Sequence, residues 1–395
     1  MGLKIGIFTD SYRPYTSGVV RSIETFTEEF REQGHETYIF APDYPNCQKE
    51  YGVFRFSSIP APTNHEFAIA MPFSLRLRPT LKKLNLDLIH VHSPFLLGRL
   101  GAKYARKLNV PLVFTFHTLY DQYVHYVPIG QNLTREITKK FCSDFCNNCD
   151  LIIVPTSVVG ERLLNWGVKS KIKAIPTGIN VNEFKIHEKD WLFQKFNINQ
   201  SCKLLISVGR LAKEKNFSFL INSYKRINDL YPNTRLVIVG HGPEKEALAN
   251  QCEKLDIKDK VIFTGTLTKE EIIKAYNSAH LFVFASVTET QGLVVGEAKA
   301  AGLPVVAVKA FGISEMVEDN IDGFLTDLNT DRFVEQAMKI LTDEELRLAM
   351  SKNAIINAAK ISSKNCANLL LQSYHELIDV NNKLKFSNST NIKAR

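Results

Sequence analysis

Residues 284–304, FASVTETQGLVVGEAKAAGLP, hold the pattern that decides the fold of this chain. The apolar run at residues 281–285 predicts a buried strand, and polar or small residues then lead into a helix that the closing glycine and proline end. Glu289 and Glu297 lie in this stretch with seven residues between them. If the helix begins near Gly292, Glu289 lies in the loop and Glu297 about one turn inside the helix. We therefore expect both carboxylates to point into one crevice.

A helix N-terminus of this kind presents unpaired backbone amides, which form a ready binding site for phosphate. A carboxylate beside a bound phosphate would repel it. We therefore assign Glu289 and Glu297 to hydroxyl groups, as ribose and other sugars present them. A surface loop with two solvated acids is the alternative interpretation of the same stretch.

Length and composition are those of a globular protein with two domains. The 395 residues exceed one ordinary hydrophobic core, and 23% charged with 45% hydrophobic residues is a usual balance for globular chains. No apolar run reaches membrane-spanning length, and the N-terminal MGLKIGIFTDSY does not resemble a signal peptide. We therefore expect a cytoplasmic protein.

The seven cysteines are scattered and odd in number, which indicates reduced thiols. Cys142, Cys146 and Cys149 cluster, and the last two have the spacing of a zinc ligand pair. No second pair and no histidine run completes such a site, so a helix end packed with small side chains is favoured over zinc.

The net charge of +8 is concentrated in the first part of the chain, with +6 up to Gly178 and +2 from Ile179 onward. Nucleic acid, anionic lipid headgroups or no particular partner would each account for this distribution. The basic residues form no recognisable nucleic-acid-reading module, so we expect no nucleic acid partner.

Strand-like runs alternate with helical patterns along most of the chain. It opens with a strand, a turn containing Ser17-Gly18 and a helix over residues 19–31, which is typical of a nucleotide-binding sheet. Strands are predicted on both sides of a break at PTG, residues 176–178: first at 3–9, 37–41, 87–91, 111–116, 151–155 and 172–175, then at 204–208, 236–239, 261–263, 281–285, 305–308 and 323–326. This alternation predicts mostly parallel sheets covered by helices.

The break divides this α/β chain into two doubly wound, Rossmann-like domains. We assign residues 1–178 to an N-terminal domain and residues 179–362 to a C-terminal domain. The last long helix, residues 363–380, is expected to cross back to the first domain, and the polar tail, residues 381–395, to be disordered. Residues 52–94 are less regular than the rest of this domain.

Two basic residues follow the first strand of the second domain. Arg210 comes directly after the Gly that ends this strand, and Lys215 comes five residues later. In doubly wound folds ligands lie outside the carboxyl ends of the strands. Two fixed cations there suit a diphosphate, Arg by bidentate contact and Lys as a point charge. A solvated basic turn is the alternative.

Three histidines are expected at one edge of the first sheet. His90 and His92 end one predicted strand, and His117 follows the next strand along the chain. A single buried histidine is more often a core residue, but three at one edge favour a functional role. The sequence contains neither His-x-x-x-His nor Asp-x-Asp, so we expect no bound metal and no other cofactor.

Together these motifs resemble family 4 of the glycosyltransferases, a large retaining family with the GT-B fold, in which two Rossmann-like domains face each other across a cleft. The motifs occur in the family's order: PTGIN at residues 176–180, Gly209-Arg210, Lys215-Asn216, and Glu289-x7-Glu297 followed by AKAAGLPVVA. In the first half, DSYRPYTSGVVRSI, HVHSPF and FTFHTLYDQYVHYVP are similar to bacterial enzymes that glucosylate diacylglycerol.

The resemblance implies a role for each residue of a UDP-sugar site. Arg210 and Lys215 bind the diphosphate and stabilise the charge on departing UDP, and Glu297 accepts from the ribose hydroxyls. Gly18 lets the backbone approach the phosphate, because a glycine carries no Cβ. The transferred sugar and its phosphate are held by Glu289 and by the amides of Gln291, Gly292 and Leu293.

Sugar transfer requires an oxocarbenium-like sugar and a leaving diphosphate. Positive charge and helix amides are therefore needed beside the diphosphate, where negative charge develops. No acid is obviously placed to attack the sugar, as the carboxylate nucleophile of a retaining hydrolase is. The resemblance implies front-face transfer, in which the leaving phosphate takes the acceptor's proton and His117 orients the acceptor or the sugar. The acceptor rim is expected to extend from the same strand end and to comprise Tyr120, Tyr123, His125 and Tyr126.

A lipid acceptor requires access to a membrane. Residues 73–83, FSLRLRPTLKK, mix apolar and basic side chains, and more basic residues follow on a predicted helix: Arg99, Lys103, Arg106 and Lys107. Each basic side chain near an anionic leaflet gains about 1 kcal/mol. We expect peripheral association with the inner face of the cell membrane, with an ordinary amphipathic helix as the alternative, and Pro79 weighs against one continuous helix.

The expected function is transfer of glucose from UDP-glucose to diacylglycerol with retention, which gives an α-glucosyl glycolipid. One alternative keeps this donor site but changes the acceptor to a phosphatidylinositol-type lipid, a soluble sugar or a thiol precursor. Another is a non-catalytic protein that binds a sugar nucleotide or a polyanion. Glucose, galactose and mannose differ by too few contacts for these motifs to distinguish them.

Overall fold

The computed structural model describes residues 2–45, 47–61, 64–122, 131–185 and 188–393. The chain divides into two compact units. The first comprises Met1–Gly178 with Ser363–Arg395, and the second is Ile179–Ser362.

The first unit is built on a parallel sheet. Its strands are β1 (Lys4–Phe8), β2 (Glu36–Pro42), β3 (Val53–Phe56), β4 (Ser58–Ala61), β5 (Asn64–Ala70), β6 (Leu88–Val91), β7 (Leu112–Thr115), β8 (Leu151–Val154) and β9 (Ile172–Ala174). Seven of them pair in the order β3-β2-β1-β6-β7-β8-β9, while β4 and β5 form a separate antiparallel pair. The helices are α1 (Gly18–Glu32), α2 (Leu77–Leu84), α3 (Leu96–Leu108), α4 (Gln131–Cys146) and α5 (Ser157–Asn165), with α14 (Ser363–Lys393) at the end of the chain.

The second unit repeats this architecture with six parallel strands. They are β10 (Lys203–Val208), β11 (Thr234–Val239), β12 (Val261–Gly265), β13 (Leu281–Phe284), β14 (Val305–Val308) and β15 (Gly323–Thr326), in the order β12-β11-β10-β13-β14-β15. The helices are α6 (Trp191–Lys195), α7 (Phe217–Leu230), α8 (Lys245–Lys254), α9 (Lys269–Ser278), α10 (Leu293–Ala300), α11 (Ile313–Met316), α12 (Thr330–Thr342) and α13 (Glu344–Lys360). The prediction of two parallel, helix-covered sheets is confirmed.

Some inner strands are apolar along their whole length because helices cover both faces of each sheet. LIIV in β8 and LFVF in β13 are buried at every position, and a parallel sheet selects for such runs. Helix α1 begins where the sequence indicates, since the Ser17 hydroxyl accepts a hydrogen bond from the Val20 amide at 3.3 Å. Local sequence signals therefore agree with the fold at these elements.

The strand order fixes where ligands are expected. In the first sheet it reverses at β1, which lies between β2 and β6, and in the second at β10, which lies between β11 and β13. Ligands of doubly wound folds bind at the carboxyl ends of the strands beside such a reversal. In the second unit, a ligand is therefore expected beside the segments that follow β10 and β13, residues 209–216 and 285–292.

The C-terminal helix is longer than the sequence analysis predicts. Helix α14 continues through Val380 to Lys393, whereas disorder was expected from residue 381 onward. This part of the chain contains no proline or glycine, so an established helix can extend through polar residues at little cost. The helix packs on α1 of the first unit, and the expected return to that unit is confirmed.

The irregular region near residue 52 contains structure that the sequence did not reveal. Strand β3 joins the edge of the first sheet beside β2, and the β4–β5 pair follows it. Helix α2 begins at Leu77, so Pro79 lies in the first turn, where a missing backbone N–H leaves no hydrogen bond unmade. Among the described residues, none of the helices combines the length and apolar character that crossing a bilayer requires.

Candidate functional site

The turn before α10 depends on two glycines. Gly292 caps the helix with φ +86°, and a Cβ there would lie 2.3 Å from Cδ1 of Ile313. A Cβ on Gly312 would lie 2.1 Å from the carbonyl oxygen of Thr290, and the Gly312 amide donates to the Glu289 carbonyl at 3.0 Å. Only glycine allows these segments to lie so close. The predicted start of α10 near Gly292 is confirmed.

A short 3-10 turn after β10, Lys213–Lys215, is joined to the segment after β13. The Glu214 carbonyl accepts hydrogen bonds from the Ser286 hydroxyl at 3.4 Å and the Val287 amide at 3.5 Å. This contact brings the Lys215 ammonium to the Glu289 carboxylate, and the two form an ion pair. Their side chains are 20% and 17% exposed, so the pair is partly shielded from water.

Arg210, at the carboxyl end of β10, has a carboxylate partner on the same turn. Its guanidinium lies 3.3 Å from Oε1 of Glu214. The Glu214 side chain is 5% exposed and that of Arg210 is 54% exposed, so a buried carboxylate pairs with a half-exposed guanidinium. Sequence reasoning missed Glu214, because a spacing of four residues indicates an ion pair on an α-helix and this segment is not one.

Glu297 lies one turn inside α10, as predicted, and is buried. Its Oε2 accepts a hydrogen bond from the Tyr276 hydroxyl at 3.2 Å. Gln291 is also buried, and Leu293 is the first residue of the helix. The two predicted glutamates thus have different partners in this structure, Lys215 for Glu289 and Tyr276 for Glu297.

A buried ion pair anchors the far end of α10. The Lys299 ammonium contacts the Asp322 carboxylate and donates to the Met316 carbonyl at 2.7 Å. Asp322 also accepts from the Glu318 amide at 2.9 Å and from the Asn357 side chain at 2.7 Å. Burial lowers the pKa of Lys299, and the adjacent carboxylate opposes this shift. The network fixes the helix that carries Glu297.

In the first unit the structure brings the three predicted histidines together. Nδ1 of His92 lies 2.9 Å from Nε2 of His117, and the rings of His90 and His92 lie 4.2 Å apart. Nδ1 of His90 lies 2.6 Å from the Tyr374 hydroxyl of α14, and its Nε2 lies 2.7 Å from Oγ1 of Thr115. Both ring nitrogens of His90 therefore have partners in the core. His117 is the most exposed of the three histidines.

Burial keeps these histidines uncharged near neutral pH. It lowers the pKa of His90 to about 3 and also lowers the pKa of His92 and of His117. A neutral imidazole offers one donor and one acceptor, which is what the His92–His117 hydrogen bond requires. His117 can therefore orient a hydroxyl group, but at neutral pH it supplies no positive charge.

The other sites predicted in the first unit are only partly described. Tyr120 lies in a 3-10 turn and packs edge-on against Phe95 and Phe116. Burial raises its pKa above the usual range. Tyr123, His125 and Tyr126 lie outside the described residues. Gly18 is the first residue of α1, and a Cβ built there would meet no atom within 4 Å.

The cysteine cluster at the end of α4 is buried. Cys142, Cys146 and Cys149 are free thiols, and desolvation raises the pKa of each. Within the described ranges, no three His, Cys, Asp or Glu side chains are arranged so that they could hold a metal ion.

Two family models match the chain and together cover most of it. The model for glycosyltransferase family 4 matches residues 16–183, and the model for group 1 glycosyl transferases matches residues 188–356. The first match lies almost wholly in the first unit and the second lies in the second unit. Each Rossmann-like unit thus has its counterpart in one of the two models.

Similar proteins extend the match to the whole chain. The alpha-monoglucosyldiacylglycerol synthase of Acholeplasma laidlawii is 31% identical over 96% of this chain and 99% of its own length. The protein of the same name from Streptococcus pneumoniae is 34% identical over 82% of this chain and 75% of its own.

Solved structures share the fold at lower identity. The Anabaena protein HepE, crystallised with UDP, has a TM-score of 0.76 at 18% identity and covers 95% of this chain and all of its own. The sucrose-phosphate synthase of Thermosynechococcus elongatus has a TM-score of 0.78 at 20% identity, over 96% of this chain and all of its own. The architecture is that of GT-B. Two family models match most of the chain, and relatives at 31% and 34% identity are matched over most of their length. The chain therefore belongs to the group 1, family 4 glycosyltransferases.

Proposed function

We propose that this glycosyltransferase moves glucose from UDP-glucose to diacylglycerol with retention of configuration, so that an α-glucosyl glycolipid forms. The observation that carries the proposal is the arrangement of Arg210 and Lys215 with Glu289 at the strand-order reversal of the second sheet. The choice of sugar and acceptor is supported by the two relatives that are named alpha-monoglucosyldiacylglycerol synthases.

In this proposal the cations bind the diphosphate. Arg210 is more than half exposed and can take a bidentate position on phosphate oxygens, while Lys215 contributes a point charge. The amides of Gly292 and Leu293 lie at the N-terminus of α10, where a helix favours negative charge. Both features stabilise the negative charge that develops on departing UDP. Such stabilisation of transition-state charge is usually the largest contribution to the rate enhancement. No metal is required in this scheme.

The carboxylates bind hydroxyl groups. Glu297 is fixed by the Tyr276 hydroxyl and by the anchored helix, so it is oriented to accept from the ribose. Glu289 accepts from the transferred sugar. The acceptor's proton passes to the leaving phosphate on the same face of the sugar, and a carboxylate nucleophile is not used.

The neutral His117 orients a hydroxyl group of the sugar or the acceptor. Its hydrogen bond to His92 holds the ring in place, and His92 is buried against His90. Tyr120, Tyr123, His125 and Tyr126 are proposed to form the acceptor rim.

An exposed apolar and basic surface precedes and includes α2, and we call it the 71–83 surface. Phe73 is 75% exposed and Leu75 is 83% exposed. Helix α2 buries Leu77 and Leu81 in the unit and leaves its cations in solvent: Arg78, Lys82 and Lys83, with Arg76 just before the helix. Apolar side chains flanked by cations suit an anionic bilayer surface, which is where diacylglycerol lies.

The double variant Phe73→Ser, Leu75→Ser is expected to bind anionic vesicles about tenfold more weakly, or weaker still. Each side chain loses part of the 1.5–3 kcal/mol, roughly, that full burial of such a group provides. Co-sedimentation with vesicles of phosphatidylglycerol and phosphatidylcholine measures the effect. Leu230→Ser, at a 63% exposed leucine of the second unit, is the matched control and should leave binding unchanged. Equal binding by the double variant and the control contradicts this assignment.

Product analysis tests the proposed function. The purified protein is mixed with diacylglycerol vesicles and, separately, with UDP-glucose, UDP-galactose or GDP-mannose. A glycolipid formed from UDP-glucose, with an α anomeric signal by NMR, is the expected result. UDP release without glycolipid would overturn the lipid acceptor, and glycolipid formed only from another donor would overturn the choice of sugar.

A further inference from the structure

The ion pair between Lys215 and Glu289 joins two groups that have different ligands in the proposed function. Lys215 is assigned to the diphosphate and Glu289 to the sugar, yet in this structure each neutralises the other. Both side chains are about four-fifths buried, so the interaction is screened less than it would be at the surface.

A diphosphate that binds Lys215 meets the Glu289 carboxylate at the same position. Like charges at such distances repel, and the repulsion is stronger where water is partly excluded. The diphosphate therefore binds Lys215 more favourably when the carboxylate gains other hydrogen-bond donors. The hydroxyls of an attached hexose are such donors, and free UDP has no group at that position.

We propose that Glu289 is a specificity-determining residue that favours intact UDP-glucose over the product UDP. This inference rests on the proposed function. With UDP-glucose bound, the sugar hydroxyls satisfy the carboxylate and Lys215 binds the diphosphate. Once the sugar has left, Glu289 again competes with the diphosphate for Lys215, and UDP is released more easily.

The neighbouring pair of Arg210 and Glu214 provides a matched control. Glu214 carries the same carboxylate as Glu289 and lies on the same 3-10 turn as Lys215, but it pairs with Arg210 and its side chain is 5% exposed. Through Arg210 it acts on the diphosphate, which UDP and UDP-glucose share. Its loss should therefore change the affinity for both ligands by the same factor.

The test is calorimetric measurement of Kd for UDP and for UDP-glucose, without acceptor, on the full chain and on Glu289→Gln and Glu214→Gln. Glutamine keeps the size of the side chain but removes the charge. We expect Glu289→Gln to bind UDP about fivefold more tightly, because the competing charge is gone. UDP-glucose should gain nothing, because a charged hydrogen-bond acceptor for its hydroxyls is lost. The ratio of Kd for UDP to Kd for UDP-glucose should then fall at least about fivefold, and Glu214→Gln should leave it unchanged.

The possible failures are distinguishable. If Glu289→Gln binds UDP no more tightly than the unaltered protein, or if Glu214→Gln changes the ratio equally, the inference is wrong while the donor site stands. If the unaltered protein binds neither ligand, the proposed function itself is wrong. Thermal unfolding of each variant identifies any loss of binding that comes from loss of the fold.

Discussion

Replacement of Lys215 by alanine is expected to lower kcat/KM for sugar transfer by about 10³-fold. The ammonium is the partly buried cation of the site, held against Glu289 on a turn that hydrogen bonds fix to the segment after β13. Its loss removes positive charge where the departing UDP becomes more negative. Most of the decrease should appear in kcat, because the interaction strengthens as the bond to the sugar breaks.

Lys213→Ala is the control for this experiment. Lys213 lies on the same 3-10 turn but is exposed, so its replacement should leave kcat/KM near the original value. Glu289→Ala, which removes the other half of the ion pair, should abolish transfer. Thermal unfolding temperatures within a few degrees of each other would show that the fold is retained. Near-normal turnover by Lys215→Ala would refute the assignment of the site.

Asp322→Ala is expected to destabilise the protein by about 3–5 kcal/mol, the usual cost of leaving one member of a buried ion pair without its partner. The carboxylate is fully buried and the Lys299 side chain is 6% exposed. The substitution also removes the acceptor for the Glu318 amide and the Asn357 side chain. Urea unfolding followed by circular dichroism measures the loss.

A control variant and a rescue variant show whether the loss of stability comes from the buried ion pair. Glu335→Ala breaks an exposed pair with Lys339 and should cost about 1 kcal/mol or less. Lys299→Met in the Asp322→Ala background removes the stranded charge and should recover part of the stability. If Asp322→Ala shifts the transition no more than Glu335→Ala does, the buried pair does not anchor α10.

Most of the fold could be predicted because its signals are local. The buried strands are short apolar runs such as LIIV and VVAV, and glycines or capping residues mark the helix boundaries. The position of α10 follows from the polar and small residues that precede Leu293 and from the glycine and proline that follow the helix. The β4–β5 pair could not be predicted, since the sequences of its two strands, SIPA and NHEFAIA, show no strong alternation of polar and apolar residues.

The sequence could predict where the candidate residues lie in the fold, but not how they pair with one another. Arg210, Lys215, Glu289 and Glu297 follow from motif spacing and from the rule that ligands bind at the carboxyl ends of strands. The contact between Lys215 and Glu289 joins residues 74 positions apart, and nothing local indicates it. The burial of Glu214 has the same origin, because it depends on how the segment after β13 packs on the turn.

Helix α14 determines the order in which the chain can fold during synthesis. Its Tyr374 bonds to His90 of β6, and its Ser373 accepts from Lys173 of β9 at 2.9 Å. The ribosome makes the strands of the first unit early and their covering helix last, after the whole of residues 179–362 has emerged. Domains usually fold as they appear, starting from the N-terminus. Here the second unit is continuous in sequence and can complete its core first. The first unit can complete its core only after α14 has been synthesised.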